Sequence, residues 1–252
     1  MASTSNYTVT RDQIISSALR KLGVLELGDT PDPATVANAA IILNLFIKQM
    51  GTEGIKLWTV EEGVLPLIAG QTSYTLGGSG SDTFYLANDN TMTPVQDKPL
   101  KFIQSWIRNT TSNIDTPLLI NSKQEYNILG SKFSTGVANT AYYDPRNTYG
   151  YLYLFLTPDV ATATNYQLHF NYQRPIYDVS YASSNVDFPN EWLNVLVWNL
   201  ADQLALEYGV PQGNRQEIGQ RAVAYKTQLL DWDVEYASTF FKPDPMNNPG
   251  RP

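Results

Sequence analysis

The hydrophobic period of this chain changes twice, and that change constrains the fold more than any single motif. Apolar residues recur at helical spacing as far as Met50 and break into short β-rich pieces from Leu57 to Gln173. Helical spacing returns after Phe188-Pro189. Each terminal helix pair is too small to hold a core of its own, so the two pack most simply together, with the middle as an insertion. The expected fold class is α+β, a bundle of N- and C-terminal helices carrying an inserted small antiparallel β-sandwich or barrel. The expected boundaries are 1–56 and 187–241 for the bundle, 57–186 for the β-rich domain and 242–252 for an extended C-terminal tail.

The helix starts are marked by side chains able to satisfy free backbone N–H groups. Thr10 and Gln13 form a capping box, Val9 and Ile14 a hydrophobic staple, and Gly23 offers a left-handed stop. Asp32-Pro33 opens a second helix whose main face is Val36, Ala40, Leu43, Ile47 and Met50. Ile41 and Leu45 fall roughly opposite that stripe. A third helix, Trp192 to Tyr208, carries Leu193, Leu196, Val197, Leu200 and Leu204 as its stripe, with Val195, Trp198 and Leu206 off it. A fourth, Arg215–Ala237, places Ile218, Ala222, Tyr225, Leu229, Trp232 and Tyr236 at alternating four-and-three spacing, which suits packing on another helix. The stretch Lys242–Pro252 holds four prolines and cannot continue it.

Between the helical blocks the expected strands are Leu57–Leu67, Ser73–Leu76, Thr83–Ala87, Leu100–Asn109, Pro117–Ile120, Tyr149–Leu156 and Tyr166–Gln173. In the last two the alternation is clear. Tyr149, Tyr151, Tyr153 and Phe155 face one side and Leu152, Leu154 and Leu156 the other, while Tyr166, Leu168, Phe170 and Tyr172 alternate with Gln167, His169, Asn171 and Gln173. A short helix, Lys123–Leu129, is announced by a second capping box from Ser122 to Glu125.

Composition excludes several functions. With no Cys and one His in 252 residues, disulfides, thiolate metal sites, a Cys nucleophile and a His-pair zinc site within one chain are all ruled out, and no cofactor is expected. Net charge is −7 and the 17 basic residues are scattered, so a sequence-independent grip on phosphate is not expected. Met1 to Thr10 lacks the apolar core of a signal peptide, and the longest apolar stretch, Ala39–Ile47, is interrupted by Asn44 and is short of a membrane span. The expectation is a soluble protein made in a cytoplasm. Charged residues are only 16%; a surface of neutral polar groups desolvates more cheaply than a charged one, which favours a subunit of an assembly.

The residues that could carry chemistry have plainer readings. His169 sits on the polar side of a strand with no GxSxG turn to supply a nucleophile, and reads as a solvated or hydrogen-bonded strand residue. Glu61 and Glu62 are adjacent on a strand and point to opposite faces. Asp231, Asp233 and Glu235 crowd one helix but diverge around it. Gly77-Gly78-Ser79-Gly80-Ser81 lacks the GK[ST] ending of a phosphate loop and reads as a hairpin tip. Tyr149, Tyr151 and Tyr153 could stack on a sugar, although aromatic strand residues ordinarily pack within sheets.

Three segments together resemble a known family: T-R-D-Q-I-I-S-S-A-L-R-K-L-G-V (Thr10–Val24), P-D-P-A-T-V-A-N-A-A-I-I-L-N-L-F-I-K-Q-M (Pro31–Met50) and L-W-T-V-E-E-G-V-L-P-L-I-A-G-Q-T-S-Y-T-L-G (Leu57–Gly77). They are similar to the head-to-tail adaptors of tailed bacteriophages, particularly the podovirus tail accessory factors, also called tail tubular protein A. The S-K-Q-E-Y helix (Ser122–Tyr126), the aromatic strands and F-P-N-E-W-L (Phe188–Leu193) follow in matching order, so the resemblance runs to about Phe241. These are patterns of architecture, with no catalytic signature among them.

The resemblance implies a structural virion protein, a non-enzyme located in the tail or neck and assembled in the host cytoplasm. It implies a homo-oligomeric ring of twelve copies under the portal protein, extending a channel through which DNA passes without specific binding. Below the ring would sit the next tail component, a nozzle or tail hub. The helical part would join neighbours, with Ile41, Leu45, Val195, Trp198 and Leu206 as the candidate subunit interface. The C-terminal segment, with Phe240, Phe241, Lys242, Pro243, Pro245 and Met246, would reach the portal. The alternative is a tail-associated glycan-binding module using Tyr149, Tyr151 and Tyr153, or a peptidoglycan hydrolase using two acids.

Overall fold

The computed structural model describes residues 7–54, 56–78, 82–87 and 93–233, and in them the chain forms six α-helices and nine strands. Helix α1 (Arg11–Lys21) begins where its sequence says it should. Thr10 accepts from the Gln13 N–H while Gln13 accepts from the Thr10 N–H. Helix α2 (Pro33–Thr52) starts on Asp32, whose carboxylate accepts from the Ala34 N–H. Near the C-terminal end come a 3-10 turn at Asn190–Trp192, α5 (Leu193–Ala205) and α6 (Gln212–Trp232).

The helices share one core. Ile14, Ile15, Ala18 and Leu19 of α1 meet Ala39, Leu43, Phe46, Ile47 and Met50 of α2, Leu196, Leu200 and Leu204 of α5, and Ile218 of α6. Helix α5 lies at the centre and packs on α1, α2 and α6. Trp192, Ile176 and Val179 complete the core, so the chain just beyond the sheet packs with the helices. Helix α2 is long and apolar enough to cross a membrane by length and composition. Here one apolar face lies in the core, while Ile41 and Leu45 are left outside it.

The middle of the chain forms a nine-stranded sheet in the order β2-β8-β7-β6-β5-β9-β1-β3-β4. Its strands are β1 (Val60–Pro66), β2 (Ser73–Leu76), β3 (Phe84–Leu86), β4 (Pro94–Val95), β5 (Lys101–Asn109), β6 (Asp115–Ile120), β7 (Thr140–Pro145), β8 (Gly150–Phe155) and β9 (Tyr166–Gln173). The sheet is mixed. An entirely antiparallel arrangement is corrected by the β6–β7 pair, which is parallel, with Leu119 opposite Thr140. Its physical cause is the short helix α3 (Lys123–Ile128) between the two strands, because a crossover returns the chain in the same direction where a hairpin would reverse it. A helix α4 (Val160–Asn165) precedes β9.

The sheet curls over a second core. Phe102 of β5 lies against Tyr143 of β7, ring centroids 4.4 Å apart, and against Phe170 of β9 at 4.5 Å. Residues from both ends of the strand order, Leu76 on β2 and, packed against the cluster, Val95 on β4, belong to this one core. A bulge between Phe102 and Gln104 lets Phe102, Ser105 and Ile107 all lie buried. Gly63 is required where it stands: a Cβ there would lie 2.7 Å from the Phe170 ring.

The free edge at β2 is closed by a side chain. Asp82 accepts from the Thr75 N–H at 2.7 Å and from Gln71, and its own N–H donates to the Thr75 carbonyl at 2.7 Å. These contacts satisfy both backbone groups of Thr75, which an added strand would otherwise use.

Candidate functional site

No catalytic constellation assembles around His169. It lies buried in a row that crosses four strands, Val64 on β1, His169 on β9, Trp106 on β5 and Pro117 on β6. Its Nδ1 is 3.0 Å from Glu62 Oε1 and its ring stacks on Trp106 at 5.7 Å. No hydroxyl group bonds to it among the described residues. Glu61 and Glu62 do face opposite ways. Glu62 meets His169, while Glu61 accepts from the Tyr172 hydroxyl and from Arg174. The described residues contain no group of three His, Cys, Asp or Glu able to hold a metal.

The tyrosines of β8 already have partners within the chain. Tyr153 stacks on Tyr142 with centroids 5.8 Å apart and planes 15° from parallel, and Tyr126 of α3 lies 5.9 Å away. Arg146 stands over Tyr151 at 4.6 Å. Tyr149 packs on Gly78, where a Cβ would come 2.8 Å from its ring. In the glycine-rich segment Gly77 and Gly78 both have positive φ; Ser79, Gly80 and Ser81 lie outside the described residues.

The side chains expected at a subunit interface divide into three groups. Ile41 and Leu45 of α2 and Leu206 after α5 are exposed, by 61%, 65% and 68%. From Pro33 to Ile47 helix α2 has no charged residue of its own, so Ile41 and Leu45, with Ala34 and Ala37, form a partly apolar strip. Charge stands at its borders, where Asn38 donates to Glu207 and Lys48 pairs with Asp178. Val195 requires a correction: it is fully buried in the helical core. The physical reason is that α5 has helices on three of its sides, so residues off its main stripe are covered as well.

Trp198 is half-buried and engaged by its own chain. Tyr225 stacks on it at 6.2 Å, and Lys21 and Arg221 stand over its ring at 5.1 and 5.2 Å. Phe240, Phe241, Lys242, Pro243, Pro245 and Met246 lie outside the described residues.

Sequence reasoning missed the joint between bundle and sheet. Arg174, directly after β9, is nearly buried; its Nε donates to Glu61 Oε1 at 3.0 Å and its two terminal nitrogens grip Asp187. Trp58 and Tyr177 flank the guanidinium. Trp58 in turn packs on Phe188, and Phe188 on Trp192, whose ring lies in the helical core.

The described features are thus a partly apolar helix surface and a braced joint between bundle and sheet. The model of one family, described as SU10 adaptor protein, matches residues 9–237. The chain belongs to the SU10 adaptor protein family. It is a structural adaptor protein of a bacteriophage, in agreement with the resemblance carried by Thr10–Val24 and Pro31–Met50. The SU10 adaptor match spans both the helices and the sheet, so the family pattern includes the joint as well as the faces beside it. No curated protein matches the chain.

Proposed function

We propose that this SU10 adaptor is a ring subunit that joins the portal to the tail and extends the DNA channel, in twelve copies as the family resemblance implies. The observation that carries the reading is the exposed apolar strip of α2 at Ile41 and Leu45. A free monomer gains nothing from leaving Ile41 and Leu45 in water, whereas a neighbouring copy can cover them while Glu207 and the Lys48–Asp178 pair stay at the rim. Leu206 is the third member of the proposed interface.

The C-terminal segment with Phe240, Phe241, Lys242, Pro243, Pro245 and Met246 reaches the portal, and the opposite end of the ring meets a nozzle or hub. The protein is placed in the virion neck after assembly in the host cytoplasm. DNA passes without specific binding, in keeping with a net charge of −7, which disfavours retention of phosphate. The reading calls for no catalysis.

The test is the double variant Ile41→Asp, Leu45→Asp, sized by light scattering and negative stain, alone and with portal protein. The wild type forms a ring in at least one of these conditions. The variant keeps the same circular dichroism and stays monomeric. Unaltered assembly of the variant removes the two residues from the interface; a wild type that remains single even with portal overturns the ring itself.

A further inference from the structure

The end of α6 is tied to the start of the sheet segment. Asp233 Oδ1 accepts from the Leu57 N–H at 3.3 Å, and Lys226 donates to Glu53 Oε1 at 2.8 Å just before that point. Leu57 opens the 3-10 turn Leu57–Thr59. At the other end of the turn, the Thr59 carbonyl accepts from the Arg174 N–H at 2.9 Å. Arg174 is the residue whose side chain holds Glu61 on β1 and Asp187. A continuous path of hydrogen bonds and three residues of backbone therefore links the last turn of α6 to the paired strands β1 and β9.

The tie is built to be opened. Lys56 is buried with its ammonium 5.4 Å from the centre of the Trp192 ring and 3.4 Å from the Glu53 carbonyl. Burial lowers its pKa, opposed by the charges of Asp233 and Glu53. Meanwhile Glu53 Oε2 and Asp233 Oδ2 are buried and have no hydrogen-bond partner among the described residues. The tie itself is one solvent-exposed hydrogen bond of 3.3 Å, a contact readily released.

We propose that the turn Leu57–Thr59 is a relay that couples the end of α6 at Asp233 to the mounting of the β1–β9 pair. While Asp233 holds Leu57, the turn is fixed and Arg174 is fixed with it. Once Asp233 is drawn away, the turn loosens and the strands lose part of their anchorage. The inference stands whatever the C-terminal segment touches, since it concerns only bonds within one chain.

The test is hydrogen–deuterium exchange by mass spectrometry on the full chain. In Asp233→Ala, peptides covering residues 57–62 and 171–176 exchange about threefold faster or more, the loss of one solvent-exposed hydrogen bond read through local opening. Asp233→Asn stays close to the wild type, because its amide oxygen still accepts from Leu57. Peptides from α1 and from β7–β8 are unchanged in both variants. Wild-type exchange at 171–176 in Asp233→Ala overturns the relay. So does equal acceleration of every peptide, which marks a loss of global stability alone, and so does an Asn variant that behaves like the Ala variant.

Discussion

Arg174 meets Asp187 end-on, with Nη1 2.5 Å from Oδ2 and Nη2 2.9 Å from Oδ1, and its remaining Nε is turned to Glu61. Two carboxylates thus share one nearly buried cation. Arg174→Met leaves both acids without their cation, although Glu61 keeps Tyr172, Asp187 keeps the Tyr177 N–H, and both are partly solvated. The cost is therefore about 3 kcal/mol, the low end for a broken buried pair. At roughly 2–4 °C per kcal/mol for a chain of this size, the melting temperature falls by about 10 °C. Arg174→Lys recovers little, because a point charge cannot bond both oxygens of Asp187 and Glu61 at once. Calorimetry on the three proteins checks this; equal melting of the Lys variant and the wild type would refute the planar-fork argument.

Surface and core substitutions on the helices separate cleanly. Ile41→Asp and Leu45→Asp change monomer stability by less than about 0.5 kcal/mol each, since both side chains are already in water. Val195→Asp places an unpaired charge in a filled core and costs more than about 4 kcal/mol. Urea titration followed by far-ultraviolet circular dichroism distinguishes the two classes.

Glycine is required at position 150 by the neighbouring strand. A Cβ there would lie 2.1 Å from the hydroxyl of Tyr143, which donates to the Pro99 carbonyl. Gly150→Ala therefore either displaces Tyr143 and breaks that bond or bends β8, at a cost of about 1–3 kcal/mol. Gly150→Ala combined with Tyr143→Phe is less destabilised than the sum of the two single changes, which a double-mutant cycle measures.

Stability declines in alkali. Burial, with Asp144 nearby, holds the Tyr143 pKa well above 10; burial and Glu61 do the same for Tyr172; burial and the bond to Asp97 push Tyr177 up to about 12. Above pH 10 the unfolded chain has lost these protons and the folded one keeps them, so each added pH unit favours unfolding. Lys56 acts in the opposite sense, but its lowered pKa gives a gain only up to 10.5, where the unfolded lysine also loses its charge. The urea midpoint is expected to fall steadily from pH 10 to pH 12, and the fall is shallower in Tyr143→Phe. A midpoint that stays level over that range contradicts the assignment.

Local chemistry was legible in the sequence wherever neighbours along the chain decide the structure. The capping boxes at Thr10 and Ser122 form as their spacing predicts, and β2 runs over Ser73–Leu76 as read. Strand β7 was missed because Tyr142 and Tyr143 stand side by side, one half-buried and one buried, so no single face is marked by composition. Helix α4 was missed because Val160, Thr162 and Thr164 are poor helix formers, although Asp159 caps it. The parallel β6–β7 pair depends on where α3 crosses, and the burial of Val195 depends on three other helices. Arg174 meets its partners only in three dimensions. None of the last three leaves a pattern in a single stretch of residues.

Strand β1 begins just after the bundle and β9 ends just before it, and the two lie side by side over seven residue pairs, Val60 opposite Gln173 through Pro66 opposite Gln167. The sheet is consequently suspended by a double strap whose two bands are sewn to each other along their length. Such a mount resists swivelling about its own axis in a way that a single connecting peptide does not. Torque delivered to one half of the molecule is passed to the other with little twist absorbed between them.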